Sequence, residues 1–287
     1  MGLYDETVKV GRRTMVLFFI IDTSGSMRGA KIGQVNAAIE GILPKIKEIS
    51  KENADAEIKV CVLNFATKAK WVTAAPVSVE DEAYRWEYVE AGGTTALGDA
   101  CRELNEALST KTFMKEVSGS YAPVLFLMSD GEPTDDYRSG IEVLKRNNWF
   151  KAAIKVAIGI GNDANKSMLA EFTGSDESVI EVHTPEELKK WIQFVTVTSS
   201  QIGSSSTDTS GKNKNEQTGN KIGEEKKERI LRHGQHRSRS QHRSQHQSHS
   251  HSRSRSQHRI RSRSRDRVQL KVTILSGKNK GEHHDEF

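Results

Sequence analysis

The chain has 287 residues, 35% of them apolar, which is enough to bury a sizeable core in one large domain or two small ones. Its formal charge of +5 is unevenly spread: residues 201–287 carry 20 Lys and Arg against 9 Asp and Glu, whereas residues 1–200 carry 23 against 29. The alkaline balance therefore belongs to the C-terminal segment, and two cysteines, Cys61 and Cys101, exclude a disulfide scaffold or a cysteine-built zinc site.

Residues 14–21 form a continuous apolar run, the pattern of a strand buried on both faces. Its MVLFFII core behind Arg12 and Arg13 imitates a signal peptide, but it is short and runs into Asp22, so a strand is expected. A myristoylation signal is also excluded after Met1-Gly2, because Glu6 stands where Ser or Thr is needed. No apolar run approaches membrane-spanning length, and a soluble, cytoplasmic protein is expected.

Residues 30–49 place Ile32, Val35, Ala38, Ile39, Ile42, Ile46 and Ile49 at helical spacing, interrupted by Pro44. Residues 58–65 and 71–75 read as a strand and its hairpin partner, 96–108 as a helix, 123–128 as a buried strand and 137–148 as a helix. Residues 154–158 give a strand, 166–172 a short helix and 178–182 a last strand. A final helix opens on the capping box Thr184-Pro185-Glu186-Glu187 and ends near Gly203. This alternation implies an α/β fold: a Rossmann-like, doubly wound, mostly parallel sheet with helices on both faces. The expected organisation is an extension over residues 1–13, a domain over 14–200, and a basic Ser/Arg/His-rich tail over 201–287. Residues 236–265 are largely Arg-Ser, His-Ser and Gln-His dipeptides, so the tail is expected to be disordered. An alternating segment at 268–275 is at best an isolated strand.

The strongest local signal is Asp22-Thr23-Ser24-Gly25-Ser26, directly after the first strand. In a doubly wound sheet ligands collect at the carboxyl ends of strands, and one carboxylate with two hydroxyls is a hard-oxygen set suited to Mg²⁺, with Mn²⁺ the alternative. Two further segments should reach the same edge. Gly92-Gly93-Thr94-Thr95 offers hydroxyls before a helix, and Met128-Ser129-Asp130-Gly131-Glu132 puts Asp130 at the end of a central strand. Glu132, Asp135 and Asp136 read as loop and helix-start acids, or alternatively as groups orienting water around the site; Thr134 is the expected N-cap of the next helix.

These residues resemble the von Willebrand factor type A domain, whose metal-ion-dependent adhesion site has the pattern Asp-x-Ser-x-Ser, then Thr, then Asp. Asp22, Ser24, Ser26, Thr94 and Asp130 complete that pattern. Thr95 could substitute for Thr94, but in the family the Thr directly after the Gly pair usually ligates. Through FFIIDTSGSM, AGGTTALGDA and FLMSDGEPTDD the sequence is similar to the bacterial tellurium-resistance TerY-like group. The resemblance covers about residues 12–200 and implies one short antiparallel edge strand, a place that residues 71–75 suit. It also implies that Ser24, Ser26 and Thr94 bind the ion directly, that Asp22 and Asp130 act largely through water, and that a partner's Asp or Glu completes the shell. It further implies a non-enzymatic, cation-dependent interaction module in a stress-response system with protein kinase and phosphatase partners. Asp22→Ala is then expected to abolish Mg²⁺-dependent capture and leave the fold intact.

Other signals are weaker. Residues 159–164 match a dinucleotide fingerprint on a late strand with too short a helix, and Asn165-Lys166-Ser167 lacks the glycines of a phosphate loop. His183, the single His before residue 200, has no evident triad partner, and no Gly-x-Ser-x-Gly elbow exists. A metal-dependent hydrolase using Asp22 and Asp130 is the least supported alternative. The Arg/Ser-rich tail raises another, a nucleic-acid-binding adaptor, although its only aromatic residue is Phe287.

Overall fold

The computed structural model describes residues 11–116, 119–205 and 214–232. The sheet is built around Arg13–Asp22 (β1), nine of whose ten residues are buried. β1 pairs in parallel with Ala56–Phe65 (β2) on one side and Val124–Ser129 (β5) on the other. Ile154–Ile160 (β6) and Val179–Val182 (β7) continue in parallel beyond β5. Ala69–Trp71 (β3) and Val77–Ser78 (β4) both pair antiparallel with β2. The order is therefore β3-β2-β1-β5-β6-β7, with β4 also on β2. The antiparallel edge is present as expected, but the hairpin partner lies at 69–71 rather than 71–75. After Trp71 the Thr73 hydroxyl, not a backbone carbonyl, accepts the Val62 N–H (3.0 Å), and the ladder ends there.

Successive side chains of a strand face opposite sides, so one sheet feeds two cores. Met15, Leu17, Phe19 and Ile21 of β1 pack on one face with Val35, Ile39, Ile42 and Ile46 of Ala30–Glu52 (α1) and Leu188, Ile192 and Val195 of Pro185–Ser205 (α6). Val16, Phe18 and Ile20 pack on the other with residues of Leu97–Ala107 (α2), Tyr137–Arg146 (α3), Asn148–Ala152 (α4) and Lys166–Thr173 (α5). α1 continues through Pro44 to Glu52, while the helix expected over 137–148 divides at Asn147, whose side chain caps α4. Thr184 caps α6 as expected, accepting the Glu187 N–H at 3.2 Å, and Glu187 reaches back to the His183 N–H. Among the described residues no helix is long and apolar enough to cross a membrane.

α2 and α3 touch through glycines. A Cβ on Gly140 would stand 2.8 Å from the Gly98 carbonyl oxygen and 2.9 Å from the Cys101 Cβ, both on α2. Gly140→Ala is expected to cost about 1–3 kcal/mol by overpacking this crossing, read as a lower urea midpoint at unchanged slope.

The tail departs from expectation in one part. Residues 214–232 are helical (α7), and Ile222 within that helix is fully buried in the same core cluster as the α1 and α6 residues. The residues up to Glu225 belong to one unit and those from Lys226 to a second. The repeat region at 236–265 and the strand expected at 268–275 lie outside the described residues. Within the first unit, Asn215 of α7 accepts the Lys155 backbone N–H at 2.8 Å.

The Lys155 side chain is buried beside that contact, its Nζ donating to the carbonyls of Phe150 (3.1 Å) and Ala153 (2.9 Å). Burial lowers its pKa to about 8. Between that value and the usual lysine range the unfolded chain binds the extra proton, so this residue makes stability rise with pH. Burial of the Cys61 and Cys101 thiols raises their pKa and acts in the opposite direction in alkali. The contribution of Lys155 is therefore read as a difference. The stability of Lys155→Met relative to the parent should shrink from pH 7.5 to pH 10, by on the order of 2 kcal/mol. A pH-independent difference would contradict the assignment.

Candidate metal centre

The order of strands reverses about β1, which has β2 on one side and β5 on the other. The crevice at the carboxyl ends of β1 and β5 is the switch point at which ligands bind in open α/β sheets. Asp22 ends β1, and Asp130 directly follows β5. The fold thus brings together two carboxylates more than a hundred residues apart in sequence.

Asp22 is fully buried: one carboxylate oxygen accepts the Ser24 N–H at 2.8 Å, the other the Ser129 hydroxyl at 2.6 Å. Burial pushes its pKa up, the hydrogen bonds from Ser129 and Ser24 oppose this, and the nearby Asp130 charge adds to the rise. The Ser26 hydroxyl donates to Asp130 Oδ1 at 2.7 Å, so its 3.0 Å contact with Ser24 Oγ leaves Ser24 as donor. Ser24, Ser26 and Asp130 form one chain, joined to Asp22 through the Ser24 backbone. Among the described residues no group of three or more His, Cys, Asp or Glu could hold a metal ion. An ion in this cluster would meet two serine hydroxyls beside the two carboxylates.

Thr94 stands differently. It is exposed, and its N–H donates to Thr67 Oγ1 at 3.3 Å. Its loop is tied to the first by backbone bonds, Gly92 N to Thr23 O at 2.7 Å and Gly25 N to Gly93 O at 3.0 Å. That approach depends on glycine. Gly93 has φ +85°, and a Cβ there would fall 2.5 Å from Thr67 Oγ1. Thr95, by contrast, is buried and exchanges bonds with Thr134, its N–H reaching Thr134 Oγ1 at 3.1 Å and its carbonyl accepting the Thr134 N–H at 2.8 Å.

Thr134 therefore links two loops and does not cap α3; Asp136 does, accepting the Ser139 N–H at 3.2 Å. Asp135 accepts the N–H groups of Gly98 (2.9 Å) and Asp99 (3.0 Å) and caps α2 from a distant loop. Glu132 accepts from Asn165. These three acids serve loop and helix-start roles, and water-orienting roles are not needed to account for them. The sequence reading missed three residues. Ser129 was visible as a hydroxyl beside Asp130, whereas Thr67 and Lys31, which pairs with Asp130 Oδ2, carried no local signal. His183 is exposed.

Residues 17–194, more than half of the chain, match the profile of the von Willebrand factor type A domain. The chain belongs to that family. Among relatives of this von Willebrand factor type A domain is inter-alpha-trypsin inhibitor heavy chain H1 of Bos taurus, 25% identical over 158 residues, 53% of this chain and 17% of that protein. The chain thus spans less than a fifth of that relative's length. Similar solved structures include a von Willebrand factor type A protein from Catenulispora acidiphila, with 18% identity and a TM-score of 0.48 over 65% of this chain and 42% of the other. Another is proximal thread matrix protein 1 from the mussel byssus with a zinc-occupied MIDAS motif, with 18% identity and a TM-score of 0.47 over 67% and 46%. Von Willebrand factor type A domains commonly bind a divalent metal, typically mediate metal-dependent protein interactions, and are generally non-enzymatic.

Proposed function

We propose that this domain captures a protein partner through a divalent cation held by Asp22, Ser24, Ser26, Thr94 and Asp130, with Mg²⁺ the expected ion and Mn²⁺ the alternative. The observation that carries the reading is the cluster of Asp22, Ser24, Ser26 and Asp130 where β1 and β5 end side by side. The residues fit such an ion, because every side-chain donor is oxygen and three of the five are neutral hydroxyls. When bound, the cation supplies Lewis acidity toward an external carboxylate, so a partner's Asp or Glu is the expected ligand. The chain's own residues orient the donors. Ser129 and the Ser24 N–H hold Asp22, and the Gly25–Gly93 backbone bond keeps the Thr94 loop against the first.

A cytoplasmic, TerY-like stress-response setting with kinase or phosphatase partners is the finer reading, and it rests only on the three motifs that carry that resemblance. A nucleic-acid role for the tail concerns residues mostly outside those described, and nothing in the site favours hydrolysis. The test is partner capture by the full chain with Mg²⁺ and with EDTA. Capture is expected to disappear on chelation and return with added Mg²⁺; capture indifferent to EDTA would reject the reading.

A further inference from the structure

Lys31 lies in the first turn of α1, where the helix dipole disfavours a cation and where no acidic residue is present. Its ammonium is paired instead with Asp130 Oδ2, whose side chain is fully buried, while Asp130 Oδ1 accepts from Ser26. Lys31 Nζ also lies 3.9 Å from Asp163 Oδ2, whose side chain is 85% exposed. Gly161 leaves room for the stem, since a Cβ there would lie only 3.3 Å from Lys31 Cε. The lysine thus stands between one carboxylate that belongs to the proposed cation site and another in solvent.

We propose that Lys31 is the internal counter-cation of this site, neutralising Asp130 until a divalent ion binds and then transferring its ammonium to Asp163. The inference rests on the metal-site reading above. A buried carboxylate left without a partner is costly, which accounts for a standing cation at Asp130. An ammonium and a divalent ion on the same carboxylate repel each other, so binding requires the pair to break. Lys31 therefore sets the cation concentration at which the domain becomes competent to capture its partner.

The test is calorimetric titration of Mg²⁺ and Mn²⁺ into the full chain and its variants. Lys31→Met is expected to tighten binding about tenfold. Lys31→Gln, which keeps a hydrogen-bond donor without the charge and guards against misfolding of the first variant, should also tighten it. Lys31→Arg retains the competing charge and should stay near the parent affinity. Asp163→Asn removes the alternative site for the ammonium and should weaken binding about twofold to threefold. A melting measurement gives a second readout: Mg²⁺ should raise the melting temperature of Lys31→Met more than that of the parent. Binding by Lys31→Met when the parent shows none would support the proposal in its strongest form. Unchanged or weaker binding by both uncharged variants, with the parent binding normally, would overturn it and leave the metal site standing. No binding by any variant would remove both.

Discussion

Asp22→Asn is expected to abolish Mg²⁺-dependent partner capture, lowering cation affinity about a hundredfold or more, while the domain stays folded. The asparagine carbonyl can still accept the Ser24 N–H, and its amide can donate to Ser129 Oγ, so both bonds of the aspartate keep a counterpart. The negative charge is lost, and the bond with Ser129 reverses direction. Asp22→Ala is a poorer variant than the sequence suggested. It leaves the buried Ser24 N–H and Ser129 hydroxyl without their acceptor, at about 1–3 kcal/mol each, so it should weaken the fold as well as the site. Titration with Mn²⁺, a melting curve in EDTA and EDTA-controlled capture separate the two effects. Unaltered capture by a well-folded Asp22→Asn protein would remove Asp22 from the site.

Ile222→Ala should destabilise the protein by about 2–5 kcal/mol, a large effect for a residue in a segment that reads as a polar tail. Ile222 is completely buried, so its truncation leaves a cavity and loses apolar burial. Thr218 Oγ1 of the same helix and Ser178 Oγ near Gly219 are both buried with no hydrogen-bond partner among the described residues. Those hydroxyls subtract from the docking energy, so Thr218→Val should recover part of what they cost. Urea unfolding of the full chain measures both variants. If Ile222→Ala unfolds within about 0.5 kcal/mol of the parent, α7 is not part of the cooperative unit. Cutting the chain at Ser200 to isolate the tail would also remove Ile222, so the cut belongs after Glu225.

Much of the architecture was legible because its signals are local. β1 and β5 are buried on both faces, which turns them into nearly continuous apolar runs, β6 departs from that pattern at Lys155, and α6 announces its start with Thr184, Pro185 and Glu187. The positions of Asp22 and Asp130 at strand ends followed from the same runs, and a parallel sheet then places both on one edge. Other features depend on which groups face each other across the fold, which no spacing records. Asp135 caps α2 although it precedes α3, because Ala96 occupies the N-cap position of α2 and offers no capping side chain. Lys31 looks like a solvated helix residue until β5 delivers Asp130 beside it. Thr218, Gly219 and Ile222 give α7 too little apolar area to betray a buried face, and only contact with the domain makes that face worth ordering. Local patterning thus determined the elements and the ligand types. Tertiary contact decided their partners, because hydrogen bonds and ion pairs act over a few ångströms of space and take no account of distance along the chain.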